Sequence, residues 1–166
     1  MILHSIFNPA NHPPMRTHRV ISSSAALLAV ALTIGVTGCS DDESGTETIN
    51  VVLNEFKLTL DRSSAPAGKV RFVAPNQGED VHELVLLRTD LAPDTLPVDD
   101  AGDVDEEAAG VERVGEVEDV APGATGEFTV DVTAGKYVLI CNIFMPEGGT
   151  VEHHYALGMR ASFTVE

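Results

Sequence analysis

Phe128-Thr129-Val130-Asp131-Val132-Thr133-Ala134-Gly135-Lys136-Tyr137-Val138-Leu139-Ile140-Cys141 contains two strands and the turn between them. Its first five residues alternate apolar and polar, the period of a strand with one wet face. Ala134-Gly135 interrupts the pattern as a turn. Tyr137 to Cys141 is apolar on both faces, which places that strand in the middle of a sheet. Outward from this stretch the same grammar recurs. Val51, Leu53, Phe56, Leu58 and Leu60 mark one or two strands, and Ala65-Pro66-Ala67-Gly68 is a turn. Val70 to Val73 is a strand closed by Pro75-Asn76-Gln77-Gly78, and His82 to Leu87 is the next. Pro122-Gly123 turns the chain again, and Ala161 to Val165 ends it. Short strands divided by Gly and Pro turns predict an all-β sandwich or barrel.

Composition narrows the function. The chain has 166 residues, with 26 Asp and Glu against 10 Lys and Arg, a formal net charge of −16. Arg16 and Arg19 precede every acidic residue, so the part from Cys39 onward carries −18. Nucleic acid and anionic lipid surfaces would repel such a chain. With two Cys it is not a disulfide-stapled miniprotein, and at 43% apolar residues it is not a disordered chain. Eleven of the acids fall between Asp94 and Asp119, with Arg113 the one basic residue among them. This segment is expected as an insertion between strands and not a second domain. Asp103 as a cap and Glu106 three residues on predict a short helix over Asp103 to Val114. The segment reads as a solvated acidic face or as a docking surface for a basic partner.

Residues 1–39 read as an export signal. Met15-Arg16-Thr17-His18-Arg19 is basic, Ala25 to Leu32 is an apolar run continued by Ile34 and Val36, and small residues end it. Translation is expected to start at Met15, which puts the basic segment first. Val36-Thr37-Gly38-Cys39 resembles the lipobox of bacterial lipoproteins, which implies cleavage before Cys39 and lipidation of its thiol. A plain signal peptide with an incidental Cys, or a short buried helix, is the alternative. Residues 40–48 (SDDESGTET) read as a flexible tether and 49–166 as the folded domain. The expectation is an exported protein, in the periplasm or on the cell surface, held to the membrane by a lipid anchor alone.

With Cys39 lipidated, Cys141 is a lone thiol in an oxidising compartment. A lone Cys often packs as a small apolar residue. Its neighbours, however, include His153, His154 and Met159, and His82 is the one other His after the signal region. Imidazoles, a thiolate and a thioether select copper, and trigonal two-His-one-Cys coordination with a weak axial Met is the blue-copper pattern. Zinc accepts Cys and His too, but its structural sites take four strong donors.

Tyr137 to Ile143, followed by His154-Tyr155-Ala156-Leu157-Gly158-Met159-Arg160-Ala161-Ser162-Phe163-Thr164-Val165, closely resembles the copper loop of cupredoxins, the plastocyanin and azurin family. Asn76-Gln77-Gly78 leading to His82-Glu83-Leu84-Val85 is similar to the family's first-ligand strand. The resemblance spans about residues 49–166 and implies a cupredoxin-like Greek-key β-sandwich with one mononuclear type 1 copper site. It implies His82, Cys141 and His154 as equatorial ligands and Met159 as the axial one. The chain departs from the family in one place. Twelve residues separate Cys141 from His154, so 144–152 reads as a loop insertion that bulges outward from Pro146 and Gly148-Gly149. The departure leaves His153 as an alternative to His154, and Met145 to Met159.

The implied activity is one-electron transfer, with the His154 imidazole edge near the surface as the exit. Phe144, Met145, Ala156 and Leu157 would form a docking patch beside it, or simply pack over the site. The partner expected is a redox protein, basic in charge, such as a cytochrome or an oxidase. An enzyme is not expected, since three His after the signal region are too few for a second copper cluster, and no Ser/His/Asp or CxxC arrangement is present. A copper chaperone or buffer, and a metal-free interaction module, remain as alternatives.

Overall fold

In the computed structural model, residues 45–147 and 150–166 are described. The signal segment, Met15, Cys39 and the first part of the tether lie outside them. Alternating side chains set the inner face of the first sheet. In β1 (Glu47–Asn54) Ile49, Val51 and Leu53 point inward, and in β4 (Gly68–Pro75) Val70, Phe72 and Ala74 do so. These strands pair in parallel, with β2 (Lys57–Leu60) and β7 (Thr125–Val132) completing the order β2-β1-β4-β7. Glu47 and Thr48, expected in the tether, already belong to β1, where Arg62 bonds the Glu47 carboxylate and the Thr48 carbonyl.

The second sheet has the order β3-β11-β8-β5-β6. Its members are β3 (Ser64–Ala65), β5 (His82–Arg88), β6 (Glu112–Val120), β8 (Gly135–Ile140) and β11 (Arg160–Val165). The chain crosses between sheets from β4 to β5, from β6 to β7 and from β7 to β8, the pattern of a Greek-key sandwich. Both inner faces meet in one core. Phe72 is its centre, fully buried between the rings of Phe128, 5.1 Å away, and Phe163, 5.4 Å away. The all-β sandwich read from the sequence is therefore the fold, with β8 central as expected.

The acidic segment differs from its expectation. The helix over Asp103 to Val114 is absent, and Glu112 to Val120 is a strand paired with β5. Two register shifts explain the concealment. Each puts an extra residue into β6, so Val114, Val117 and Val120 all reach the core at a spacing of three. That spacing imitates a helix. The cap is also engaged elsewhere: the Asp103 carboxylate meets the His153 ring at 2.9 Å. Upstream, Asp99 Oδ1 accepts the N–H groups of Ala101, Gly102 and Asp103 in a tight turn.

The same segment buries apolar anchors. Leu96 and Val104, with Val111 beside them, pack on Val85, Leu87, Val138 and Ile140. This is the outer face of the second sheet, which explains why β5 and β8 are apolar on both sides. Most of its acids face the water while a few aliphatic residues hold the flap down.

Replacing Phe72 by Ala removes a ring enclosed on both sides, and large-to-small aromatic changes in such cores cost about 3–5 kcal/mol. Urea unfolding of the metal-free protein should show a loss of that size, whereas Val98→Ala, at a half-exposed flap position, should leave the midpoint nearly unchanged.

Candidate metal centre

His82 begins β5, where the turn after Pro75 delivers the chain back to the sandwich. Cys141 is the first residue after β8, beside it in the sheet. Both side chains are fully buried at one end of the core. His154 arrives by a longer route. β9 (Phe144–Glu147) and β10 (Thr150–His153) pair antiparallel, and the His154 N–H bonds the Ile143 carbonyl at 3.0 Å to close the hairpin. The expected loop insertion is thus a hairpin that leaves and returns at one point. His154 opens a single helical turn, α1 (His154–Leu157), ended by Gly158 at φ +131°, a conformation that excludes most side chains. Met159 follows, its N–H on the His154 carbonyl at 2.9 Å and its carbonyl accepting the Cys141 N–H at 3.0 Å.

These backbone bonds bring three donors together. His82 Nδ1 and His154 Nδ1 are 3.2 Å apart, and Cys141 Sγ is 3.9 Å from the first and 3.4 Å from the second. Met159 is fully buried in the same region, next to Cys141 and His154 through its backbone. His153 points elsewhere, to Asp103, so His154 is the histidine in the cluster. Met145 lies on the hairpin in β9. His154 is fully buried, contrary to the expectation of a surface imidazole edge. Phe56 packs its ring edge-on against it at 5.2 Å, and the His82 ring lies 5.0 Å away.

Chemistry decides whether these residues suit an ion. His82 Nε2 lies 2.8 Å from a Glu55 carboxylate oxygen. That acceptor requires the ring proton on Nε2, which leaves the Nδ1 lone pair free and aimed at the cluster. The three separations define a triangle whose centre is roughly 2 Å from each donor, close to a metal–imidazole bond and a little short of a metal–thiolate bond. The donor set of two imidazoles and a thiol, with a thioether nearby, fits one type 1 copper ion.

The surroundings support the donors unevenly. Burial pushes the Cys141 thiol up to about 12, despite backbone N–H groups of Glu83 and Ile143 that favour the thiolate. Burial lowers the His154 ring, and the neighbouring His82 lowers it further, which keeps it neutral as a ligand must be. Its Nε2 is buried without a hydrogen-bond partner among the described residues. Glu83, beside His82, accepts the Asn142 N–H at 2.8 Å, and burial raises its carboxyl to about 7. The Asn142 side chain bonds the Val104 backbone at 2.7 and 3.0 Å, tying the acidic flap to the strand that carries Cys141. Tyr155 does the same from α1, its hydroxyl donating to the Pro93 carbonyl and accepting the Leu96 N–H.

Sequence reasoning missed Glu55, Phe56 and Asn142 as neighbours of the centre. Among 26 acids one Glu carries no signal, and its link to His82 spans a turn between different strands.

Several solved structures are similar to this chain. Auracyanin from the photosynthetic bacterium Roseiflexus castenholzii, in its dithionite-reduced form, is 22% identical over 74% of this chain and 99% of its own, with a TM-score of 0.47. Auracyanin A, a "blue" copper protein from Chloroflexus aurantiacus, is 20% identical over 74% and 100%, at 0.48. Rusticyanin from Thiobacillus ferrooxidans is 19% identical over 74% and 79%, at 0.48. No protein-family model matches the chain, and no curated protein does.

Two outcomes follow from the geometry. His154→Ala should abolish tight copper uptake, while His153→Ala should retain it, as read by titration with Cu(II). A thiol at about 12 is protonated at neutral pH, so ligation must release its proton. Copper uptake by the metal-free protein should therefore free about one proton, and binding should tighten by roughly tenfold per pH unit as pH rises toward that value. A pH-indicator assay in weak buffer reads the first, and competition titrations at several pH values read the second.

Proposed function

We propose that this chain is a type 1 copper protein acting outside the cytoplasm as a one-electron carrier. The observation that carries the reading is the buried triangle of His82 Nδ1, Cys141 Sγ and His154 Nδ1. Copper held there supplies the Cu(I)/Cu(II) couple. His82, Cys141 and His154 would hold it, and the Met159 thioether would supply a further, weak donor.

The protein's own part is to keep these donors in place and dry. Each stands beside a backbone hydrogen bond or a sheet, so the set cannot relax far between two oxidation states. Complete burial excludes water from all four side chains. It also favours retention of an ion over ready exchange, which weighs against a copper chaperone or buffer.

Electrons must still reach a partner. Phe144, Val151 and Leu157, each at least half exposed, lie on the hairpin and α1 next to the buried centre. Acids of the flap, Asp103 among them, adjoin this apolar patch through His153. The arrangement suits a redox protein with an apolar contact face and a basic rim, a cytochrome or an oxidase by chemistry. Lipidation at Cys39 would keep the carrier at the membrane surface, and we assign it no catalytic step of its own. Among the described residues no helix is long and apolar enough to cross a membrane.

Purified protein given Cu(II) should show an intense thiolate-to-copper band in the visible. Cys141→Ser should abolish the band, and Met159→Leu should keep it while shifting the reduction potential. Full colour in the Cys141→Ser protein would refute the assignment.

A further inference from the structure

The turn between β1 and β2 touches both histidines of the centre. Glu55 holds His82 through Nε2 at 2.8 Å, and Phe56 packs against the His154 ring. One oxygen of Glu55 also accepts the N–H groups of Glu79 and Asp80, each at 3.0 Å, so the carboxylate has a fixed seat. Its side chain is only about a quarter exposed (26%). Two glycines make room for the turn. A Cβ at Gly78 would overlap the Glu55 carboxylate, and one at Gly158 would stand 3.0 Å from the Phe56 carbonyl. Glu83, a half-buried acid near the cluster, gives its carboxylate to the Asn142 N–H instead. Glu55 is thus the acid that bonds a cluster imidazole among the described residues.

We propose that Glu55 is a positioning residue that sets the redox balance of the centre. It does so by fixing the His82 tautomer and by placing a negative charge one imidazole away from the ion. The proposal rests on the copper reading above. A carboxylate on the far nitrogen makes the ring a stronger donor and stabilises the divalent ion more than the monovalent one. The charge sits in a partly desolvated turn, where water screens it less than on an open surface.

Glu55→Gln isolates the charge. Glutamine keeps the shape and an oxygen able to accept the same three N–H groups. The mature wild-type and variant chains are loaded with Cu(II), their visible spectra recorded, their potentials measured by redox titration, and their Cu(II) and Cu(I) affinities measured by competition. The variant is expected to retain the thiolate band and to lose at least tenfold in Cu(II) affinity relative to Cu(I). Each tenfold corresponds to a rise of about 59 mV in a one-electron couple. A variant with the band and an unchanged affinity ratio overturns the proposal. If Glu55→Gln does not fold, as judged by melting of the metal-free form, Gly78→Ala displaces the carboxylate without removing it. The potential should again rise, and an unchanged value overturns the role. Absence of the band in the wild-type protein overturns the copper reading itself, and this proposal with it.

Discussion

A thiol and two imidazoles packed within 4 Å of one another, away from water, are a liability to any folded chain. A buried polar group without a partner costs on the order of 1–3 kcal/mol, and here His154 Nε2 has none among the described residues while three donors crowd together. Hydrophobic burial alone would scatter such groups to the surface. What holds them is backbone: Cys141 bonded to Met159, Met159 to His154, and His154 to Ile143. The sandwich offers a rigid end on which these bonds can form, and its core resists the relaxation that would separate the donors. The arrangement is costly to a bare protein and useful once an ion compensates it.

Much of this was legible in the residues. Alternation in β1, β4 and β7 and the double-faced apolar run of β8 announced the sandwich, because side-chain period reports directly on burial. Cys141, His153, His154 and Met159 stood out through their donor chemistry, and the cupredoxin resemblance chose among them. His82 required more, since nothing local distinguishes it from a histidine that merely opens a strand. Orientation separates His153 from His154, and only the second joins the cluster. A strand that pairs back on Phe144 turns His153 outward to Asp103, and the chain then folds His154 inward.

Other features were hidden for identifiable reasons. Strand β6 was masked by its bulges, which changed an apolar period of two into one of three. The acidic flap was read for its charge, while its structural content lay in Leu96 and Val104. Glu55 and Phe56 join the centre through a turn distant in sequence from every ligand, and only the fold brings them there. The surface imidazole anticipated for His154 failed because the Phe56 ring occupies the place where solvent would be.

The hairpin of β9 and β10 leaves the site and comes back to it through the single rung between Ile143 and His154. Rungs farther out are invisible to the donors at its base. Such a finger can lengthen, shorten or change its tip during evolution while the chemistry beneath it stays as it was. A contact face of the kind proposed for this hairpin could thereby diverge without disturbing the donors, two heritable traits carried on one loop.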